Sequence, residues 1–419
     1  MPHASSTEHR VLVLLPTYLP GYKGGGPIRS IANLVAALGA DFHFRIVTSD
    51  RDLGDEDPFP CVAVNRWVRV GQADVLYLRP GLRGFLDLWL LLRSVREDSV
   101  LYINGFFPRR FSMLPVLMWW LKLCRPRSLV LAPRGEFSPG ALRLKCVRKL
   151  LYIRVSRWLN LYCNLIWHAS TDFEAVDIHR NFPSATHIET AAVVSGQTGG
   201  RNGNRSSEVI TALDIAKAME YQCRVRLPKM PGHLRAVFLS RVSPKKNLVG
   251  ALRMLGGILG DVSFDIYGPA EDAEYWQECQ RLIAALPANI RVRHRGDVIH
   301  DLVGETLAAH ELFLFPTFGE NYGHVICEAL ASGCPVLISD QTPWRNLEAE
   351  GVGWDIPLGD TERFRSVLQQ CVDGDDEWHA ALSTRAADYA AKHSGDPSII
   401  DANSRLFQRA FARAGRALA

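Results

Sequence analysis

The sequence predicts an α/β protein built from two doubly wound, Rossmann-like domains, and three observations carry that expectation. Short continuous apolar runs such as Val11–Leu15 and Leu312–Phe315 suit strands buried on both faces, and longer amphipathic stretches alternate with them. Glycine-bearing turns follow several of these runs, where an open parallel sheet binds its ligands. A chain of 419 residues, 47% of them hydrophobic, exceeds one ordinary core and can bury two.

In chain order, Val11–Leu15 reads as the first strand and is followed by the turn Gly21-Tyr22-Lys23-Gly24-Gly25-Gly26. A helix comes next: Pro27 suits its start, Gly39 its end, and Ile31, Leu34, Val35 and Leu38 recur at helical spacing. The glycine run is neither G-x-G-x-x-G nor a Walker loop. Further strands are expected at Phe44–Thr48, Val75–Leu78, Val100–Ile103, Leu129–Leu131 and Leu165–His168. The acidic cluster containing Asp50 and Asp52 reads as a solvated loop. After Ile103 comes Asn104-Gly105-Phe106-Phe107, and after Leu131 the turn-rich Ala132-Pro133-Arg134-Gly135-Glu136-Phe137-Ser138-Pro139. Leu142–Leu161 mixes apolar residues with cations and reads as a basic amphipathic helix, with a break allowed.

Glycine and polar residues dominate from Ser195 to Asn204, which marks a linker and divides the chain into a first domain, 1–194, a linker region, 195–234, and a second domain, 235–396. Residues 397–419 are helical in pattern. In the second domain Ala236–Leu239 precedes Ser240-Arg241-Val242-Ser243-Pro244-Lys245-Lys246-Asn247, and strands at Ser263–Tyr267 and Ile290–Arg293 run out towards Gly268 and Gly296. The densest stretch is Glu311–Asp340. Between its strands at Leu312–Phe315 and Pro335–Ile338, the loop Phe318–Gly323 leads into a helix whose apolar side holds Val325, Ile326, Ala329 and Leu330. His324 and Glu328 fall on the other side. Glycines in that loop permit close backbone approach to a ligand, and the helix N-terminus favours an anion such as phosphate.

Glu320 in the loop and Glu328 on the helix, eight positions apart, resemble the Glu-x7-Glu signature of the retaining family-4 glycosyltransferases of GT-B fold. The resemblance extends over Pro316–Pro335. It implies two Rossmann-like domains facing a central cleft, with residues 397–419 crossing back to the first domain. It further implies a nucleoside diphosphate sugar as donor substrate, a glycan or polyprenyl-diphosphate-linked acceptor, and neither metal nor other cofactor. Glu320 would then contact the transferred sugar and Glu328 the ribose hydroxyls. The backbone of Asn321, Tyr322 and Gly323 and the helix start at His324 would lie near sugar and phosphate. Arg241 and Lys246 fall on the family's R-x-x-x-x-K segment and would grip the diphosphate, Gly268 and Gly296 would bracket the base, and Gly25 and Gly26 would lie in the glycine loop near it. Asn104 stands where many members carry histidine and cannot titrate. Pro133–Leu142 resembles the P-R-G-x-x-S-P-x-A-L segment of bacterial polysaccharide-assembly glycosyltransferases, which puts Arg134 and Glu136 on the acceptor side with Asn104; pairing of Arg134 with Glu136 is the other reading.

Net charge is +4, but from Ser99 to Thr171 twelve cations face a single acid, Glu136. Anionic lipid, a phosphate-bearing acceptor or a solvated face each fit that imbalance, and nucleic acid has no motif beyond charge in its favour. No apolar run reaches the ~18 residues needed to span a bilayer. The polar start lacks a signal-peptide core, and nine scattered cysteines without C-x-x-C spacing suit buried thiols in a reducing cytosol. A cytoplasmic protein, peripheral at the membrane through 141–160, is the expectation. Two other functions remain open: a GT-B sugar-nucleotide epimerase or sugar-phosphate synthase, and a non-catalytic protein binding nucleotide sugars or anionic surfaces.

Overall fold

A computed structural model describes residues 9–143, 146–188, 207–216, 226–270 and 272–413. The chain divides into two compact units, residues 1–215 with 397–419, and residues 216–396.

The first unit carries a sheet of nine strands among the described residues. They are β1 (Arg10–Leu14), β2 (His43–Ser49), β3 (Trp67–Val70), β4 (Ala73–Leu78), β5 (Ser99–Asn104), β6 (Ser128–Ala132), β7 (Ile166–Ala169), β8 (Thr186–Ile188) and β9 (Glu208–Thr211). Their order is β3-β4-β2-β1-β5-β6-β7-β9-β8, all parallel except for the β3–β4 hairpin. The apolar runs read from sequence are β1, β2, β4, β5, β6 and β7. Sequence reading misses β3, a half-exposed edge strand, and the short β8 and β9. Because β9 pairs with β7 and β8, the first unit continues to Ile215 instead of ending at 194. The Ser195–Asn204 linker itself lies outside the described residues. On one side of the sheet the Gly26–Leu38 helix buries Ile28, Ile31, Leu34, Val35 and Leu38. The Pro397–Ala412 helix joins the same core through Leu406, Phe407 and Ala410, with Phe407 5.7 Å from both Phe44 and Tyr102, ring to ring. The basic stretch after Leu142 is two helices, Pro139–Arg143 and Cys146–Trp158, on the other side.

The second unit has six parallel strands: β10 (His233–Leu239), β11 (Asp261–Tyr267), β12 (Ile290–Gly296), β13 (Leu312–Phe315), β14 (Val336–Ser339) and β15 (Gly353–Ile356), in the order β12-β11-β10-β13-β14-β15. β13 and β14 bury every side chain and β10 buries its centre, Ala236–Phe238, since helices cover both faces. Each sheet reverses direction once, between β1 and β5 in the first and between β10 and β13 in the second. Loops leaving the two central strands diverge there and open a crevice at the carboxyl ends. Among the described residues no helix is long and apolar enough to cross a membrane.

Candidate active site

In the second unit the reversal point gathers the loop after β10 and the loop after β13. Phe318 N donates to Lys245 O at 2.9 Å, and the Asn247 side chain donates to Pro316 O at 2.8 Å, which stitches the two loops together. Asn247 has φ 58° and its side-chain oxygen caps the Leu248–Leu255 helix through Gly250 N at 3.1 Å. Held this way, Lys246 donates to the Glu320 carboxylate. The side chains are 15% and 12% exposed. Burial alone would raise the Glu320 carboxyl. Lys246, Lys245 and hydrogen bonds from Lys246 and Thr317 override burial and hold it below the ordinary carboxylate range. Glu320 is therefore anionic at neutral pH.

Gly268 and Gly296 close the same edge. Gly268 N donates to Gly296 O at 2.9 Å, and His294 Nε2 donates to Gly268 O at 2.9 Å. Gly268 has φ 128°, and a Cβ there would stand 2.1 Å from Ser240 O, so only glycine lets β11 end against the backbone of Ser240 and Arg241. The Arg241 side chain is exposed.

The loop after β13 ends at Gly323, whose φ of 83° turns the chain into the His324–Ala331 helix. Asn321 is half-buried and Tyr322 buried, and Tyr322 O accepts from Trp344 Nε1 at 2.7 Å. Sequence periodicity puts His324 and Glu328 away from the core, yet both are buried, at 9% and 8% exposure. The Asp376–His393 and His300–Ala308 helices pack against this short helix, and the Tyr322 ring lies 4.8 Å from that of His324. Among the described residues no three His, Cys, Asp or Glu side chains converge to hold a metal ion.

In the first unit the reversal point gathers the glycine turn after β1 and Asn104 at the end of β5. Gly25, with φ 66°, starts the Gly26–Leu38 helix, and the turn is fixed by Asp52, whose carboxylate accepts from Tyr22 N at 2.7 Å and Lys23 N at 3.1 Å. Asp50 and Asp52 are thus buried, 2% and 5% exposed, and not a solvated loop. For Asp52 the reason lies 29 and 30 positions earlier, where turn N–H groups need an anionic acceptor, while Asp50 accepts from Arg51 Nε at 2.9 Å. Asn104 is 2% exposed and donates to Pro27 O at 3.3 Å. Arg134 and Glu136 do not pair. Glu136 accepts from Phe106 N at 2.7 Å and Phe107 N at 2.8 Å, with burial pushing its carboxyl up, while Arg134 turns the other way, to Asn104 and Asp214. Consecutive left-handed residues, Arg134 at φ 57° and Gly135 at φ 72°, send the two side chains to different partners.

Residues 233–373 match the family described as Glycosyl transferases group 1. A phosphatidyl-myo-inositol mannosyltransferase of Mycolicibacterium smegmatis is 26% identical over 210 residues, 48% of this chain and 50% of that one. The chain spans about half the length of the curated relatives it matches, 43% and 50%. Among solved structures, sucrose-phosphate synthase of Thermosynechococcus elongatus superposes with a TM-score of 0.65 at 14% identity, covering 97% of this chain and 99% of that one. The Anabaena protein HepE in complex with UDP-glucose gives 0.64 at 14% identity, over 96% and 99%. These two share the fold. The group 1 match lies on the unit that holds Lys246 and Glu320, both sheets have the doubly wound GT-B architecture, and in these respects the chain is similar to family-4 glycosyltransferases.

Proposed function

We propose that this protein transfers a sugar from a nucleoside diphosphate sugar to a glycan or lipid-linked saccharide, with retention at the anomeric carbon and without a metal, in cell-surface polysaccharide synthesis. The observation that carries the reading is the mostly buried Lys246–Glu320 pair at the β10/β13 reversal, beside the glycine-closed ends of β11 and β12. Breaking a sugar–phosphate bond leaves a diphosphate whose charge grows in the transition state. Cations and helix N–H groups fixed beforehand stabilise that charge more than the ground state. Lys246, Arg241 and the start of the His324–Ala331 helix supply them, Glu320 meets the sugar, Glu328 the ribose, and Asn321–Gly323 the phosphate through their backbone. The leaving phosphate takes the acceptor proton on the same face. That the M. smegmatis relative is a mannosyltransferase of phosphatidylinositol, and that HepE binds UDP-glucose, favours a lipid-borne acceptor and a sugar nucleotide donor.

One exposed helix supports a membrane-borne acceptor. The Cys146–Trp158 helix buries only Ile153 and Ser156 and exposes Val147, Leu151 and Trp158 (80%) beside Arg148, Arg154 and Arg157. Apolar side chains flanked by cations suit an anionic bilayer, each cation contributing about 1 kcal/mol. Lys149 is engaged internally, donating to Ala141 O at 2.6 Å.

The test is a thermal-shift screen against UDP-, GDP- and ADP-sugars followed by product analysis with the stabilising donor. A new glycosidic bond supports transfer, and an isomerised nucleotide sugar rejects it. Glu320→Ala and Lys246→Ala are expected to fold and to lose about a hundredfold or more in transfer. Wild-type turnover in either rejects the assignment. Co-sedimentation with phosphatidylglycerol but not phosphatidylcholine vesicles, lost at high salt, checks the membrane contact.

A further inference from the structure

The side chain of Arg134 is 4% exposed, and four of its five N–H groups are spent inside the protein. Nε donates to Asn104 Oδ1 at 2.7 Å, Nη1 to Ser170 Oγ at 2.6 Å and to the Asp214 carboxylate, and Nη2 to Tyr102 Oη at 2.8 Å. Each partner carries the connection further. Asp214 accepts from Ser30 Oγ at 2.7 Å, in the first turn of the glycine-loop helix, and Asn104 donates to Pro27 O in that same turn. Tyr102 donates to His168 Nδ1 at 2.7 Å. His168 Nε2 donates to Ala212 O at 2.8 Å, so the imidazole is neutral with Nε2 protonated. Burial and the Arg134 charge push its pKa down to about 4, in keeping with that form.

One guanidinium therefore ties the ends of β5, β6 and β7, the chain leaving β9, and the helix that begins at the glycine loop. A buried ion pair seldom stabilises a fold more than apolar residues of the same shape would, and Arg134 also holds a left-handed backbone that arginine rarely adopts. Such costs persist where surrounding structure fixes a functional geometry. The sheet reverses between β1 and β5, so the fixed elements are those flanking the crevice.

The geometry points to Arg134, with Asp214, as a positioning pair that sets the Gly26–Ser30 turn and Asn104 at the β1/β5 crevice, and not as a group that grips the acceptor. The assignment rests on the proposed transfer reading for its catalytic consequence only. An arginine with its fork already occupied cannot offer it to a ligand, whereas a displaced turn would misplace whatever binds beside it.

Arg134→Lys keeps the charge and loses the fork, Asp214→Asn keeps the shape and loses the charge, and Tyr102→Phe removes one hydroxyl. Amide hydrogen exchange of the full chain is the first readout. The expected result is exchange at least tenfold faster at residues 26–31 and 104–107 in Arg134→Lys and Asp214→Asn, with β1, β2 and residues 233–373 unchanged. Tyr102→Phe should give the same pattern more weakly, and it decides the matter if the charged variants do not fold. Wild-type exchange at those turns, or acceleration spread evenly over the first unit, overturns the pair as a positioning device. The second readout is nucleoside diphosphate release from UDP-glucose, GDP-mannose and ADP-glucose. A fall of at least tenfold in kcat with donor KM within twofold supports the inference, and a rise in KM at unchanged kcat overturns it. If the wild-type protein turns over none of these donors, the transfer reading fails and the exchange experiment still decides the role of Arg134.

Discussion

Lys246→Met and Glu320→Gln, alone and together, measure the contact on which the proposed donor site depends. The two side chains are 15% and 12% exposed, so removing either partner strands the other charge mostly out of water. A fully buried pair broken this way costs about 3–5 kcal/mol. Residual exposure, the charge of Lys245 and the Thr317 hydroxyl, 3.4 Å from Glu320 Oε1, soften the loss, which puts Lys246→Met near 2–3 kcal/mol. For a unit the size of residues 216–396, each kcal/mol moves Tm by about 2–4 °C, so a fall of roughly 4–12 °C is expected. The double variant leaves no stranded charge and should cost less than the two single changes summed, with a coupling of at least about 1 kcal/mol. Urea unfolding of the four proteins, followed by circular dichroism, gives that coupling. A value below about 0.5 kcal/mol would mean that the ammonium and carboxylate do not meet in solution, and the mechanism built on their contact would fall with it.

Acid provides an independent check on Glu320. Its folded pKa is lowered, so its stabilising contribution is complete above the unfolded value of about 4.3 and disappears as pH falls through the lower folded value. The Tm gap between wild type and Glu320→Gln should stay constant from pH 7 to about 5 and close only below about 4; a gap already closing at pH 6 contradicts a depressed carboxyl. Asn247 should be sensitive in a particular order. Asn247→Ala loses the helix cap, retains an unfavourable φ of 58° and strands Pro316 O, for about 2–3 kcal/mol in all. Asn247→Gly relieves the backbone and should cost about 1 kcal/mol less; calorimetry showing glycine worse than alanine would remove the left-handed cap from the argument.

Both doubly wound sheets were legible because their evidence is local. Val11–Leu15 or Leu312–Phe315 declares a buried strand within five positions, and Gly25 or Gly323 marks the turn that follows. The signature Glu320 and Glu328 was equally local. What sequence did not reveal depends on partners far along the chain. Asp214 meets Ser30 across 184 positions and Arg134 across 80, and nothing within a window of either predicts the meeting. Asp52 looked solvated because Asp55, Glu56 and Asp57 are, although its own carboxylate faces turn N–H groups 29 and 30 positions earlier. Arg134 and Glu136 show the opposite error, in which nearness in sequence suggested a pair, whereas Arg134 turns to Asn104 and Asp214 and Glu136 to Phe106 and Phe107. Asn247 carried a usable signal, since a polar residue immediately before an apolar helical stretch is a cap candidate. Its bond to Pro316, which joins the two loops, carried none.

The two reversal points solve different physical problems with the same topology. At β1/β5 the charged groups are satisfied from within: Asp52 by turn amides, Glu136 by Phe106 and Phe107, and Arg134 by Asp214 and three neutral oxygens. Their work is complete before any substrate arrives, and it consists of holding backbone in place. At β10/β13 the ammonium of Lys246 rests on Glu320 and lies 5.4 Å from the centre of the Phe315 ring, in a crevice that also offers a helix N-terminus. On the proposed transfer reading, a diphosphate arriving there would compete with Glu320 for the same cation, and a carboxylate released from that contact would be free to turn to a sugar hydroxyl. A rigid frame in one unit and an ion pair able to exchange partners in the other are what the proposed transfer would ask for. Residues bearing catalytic charge must change partners between free and loaded protein, and those positioning the acceptor side must not.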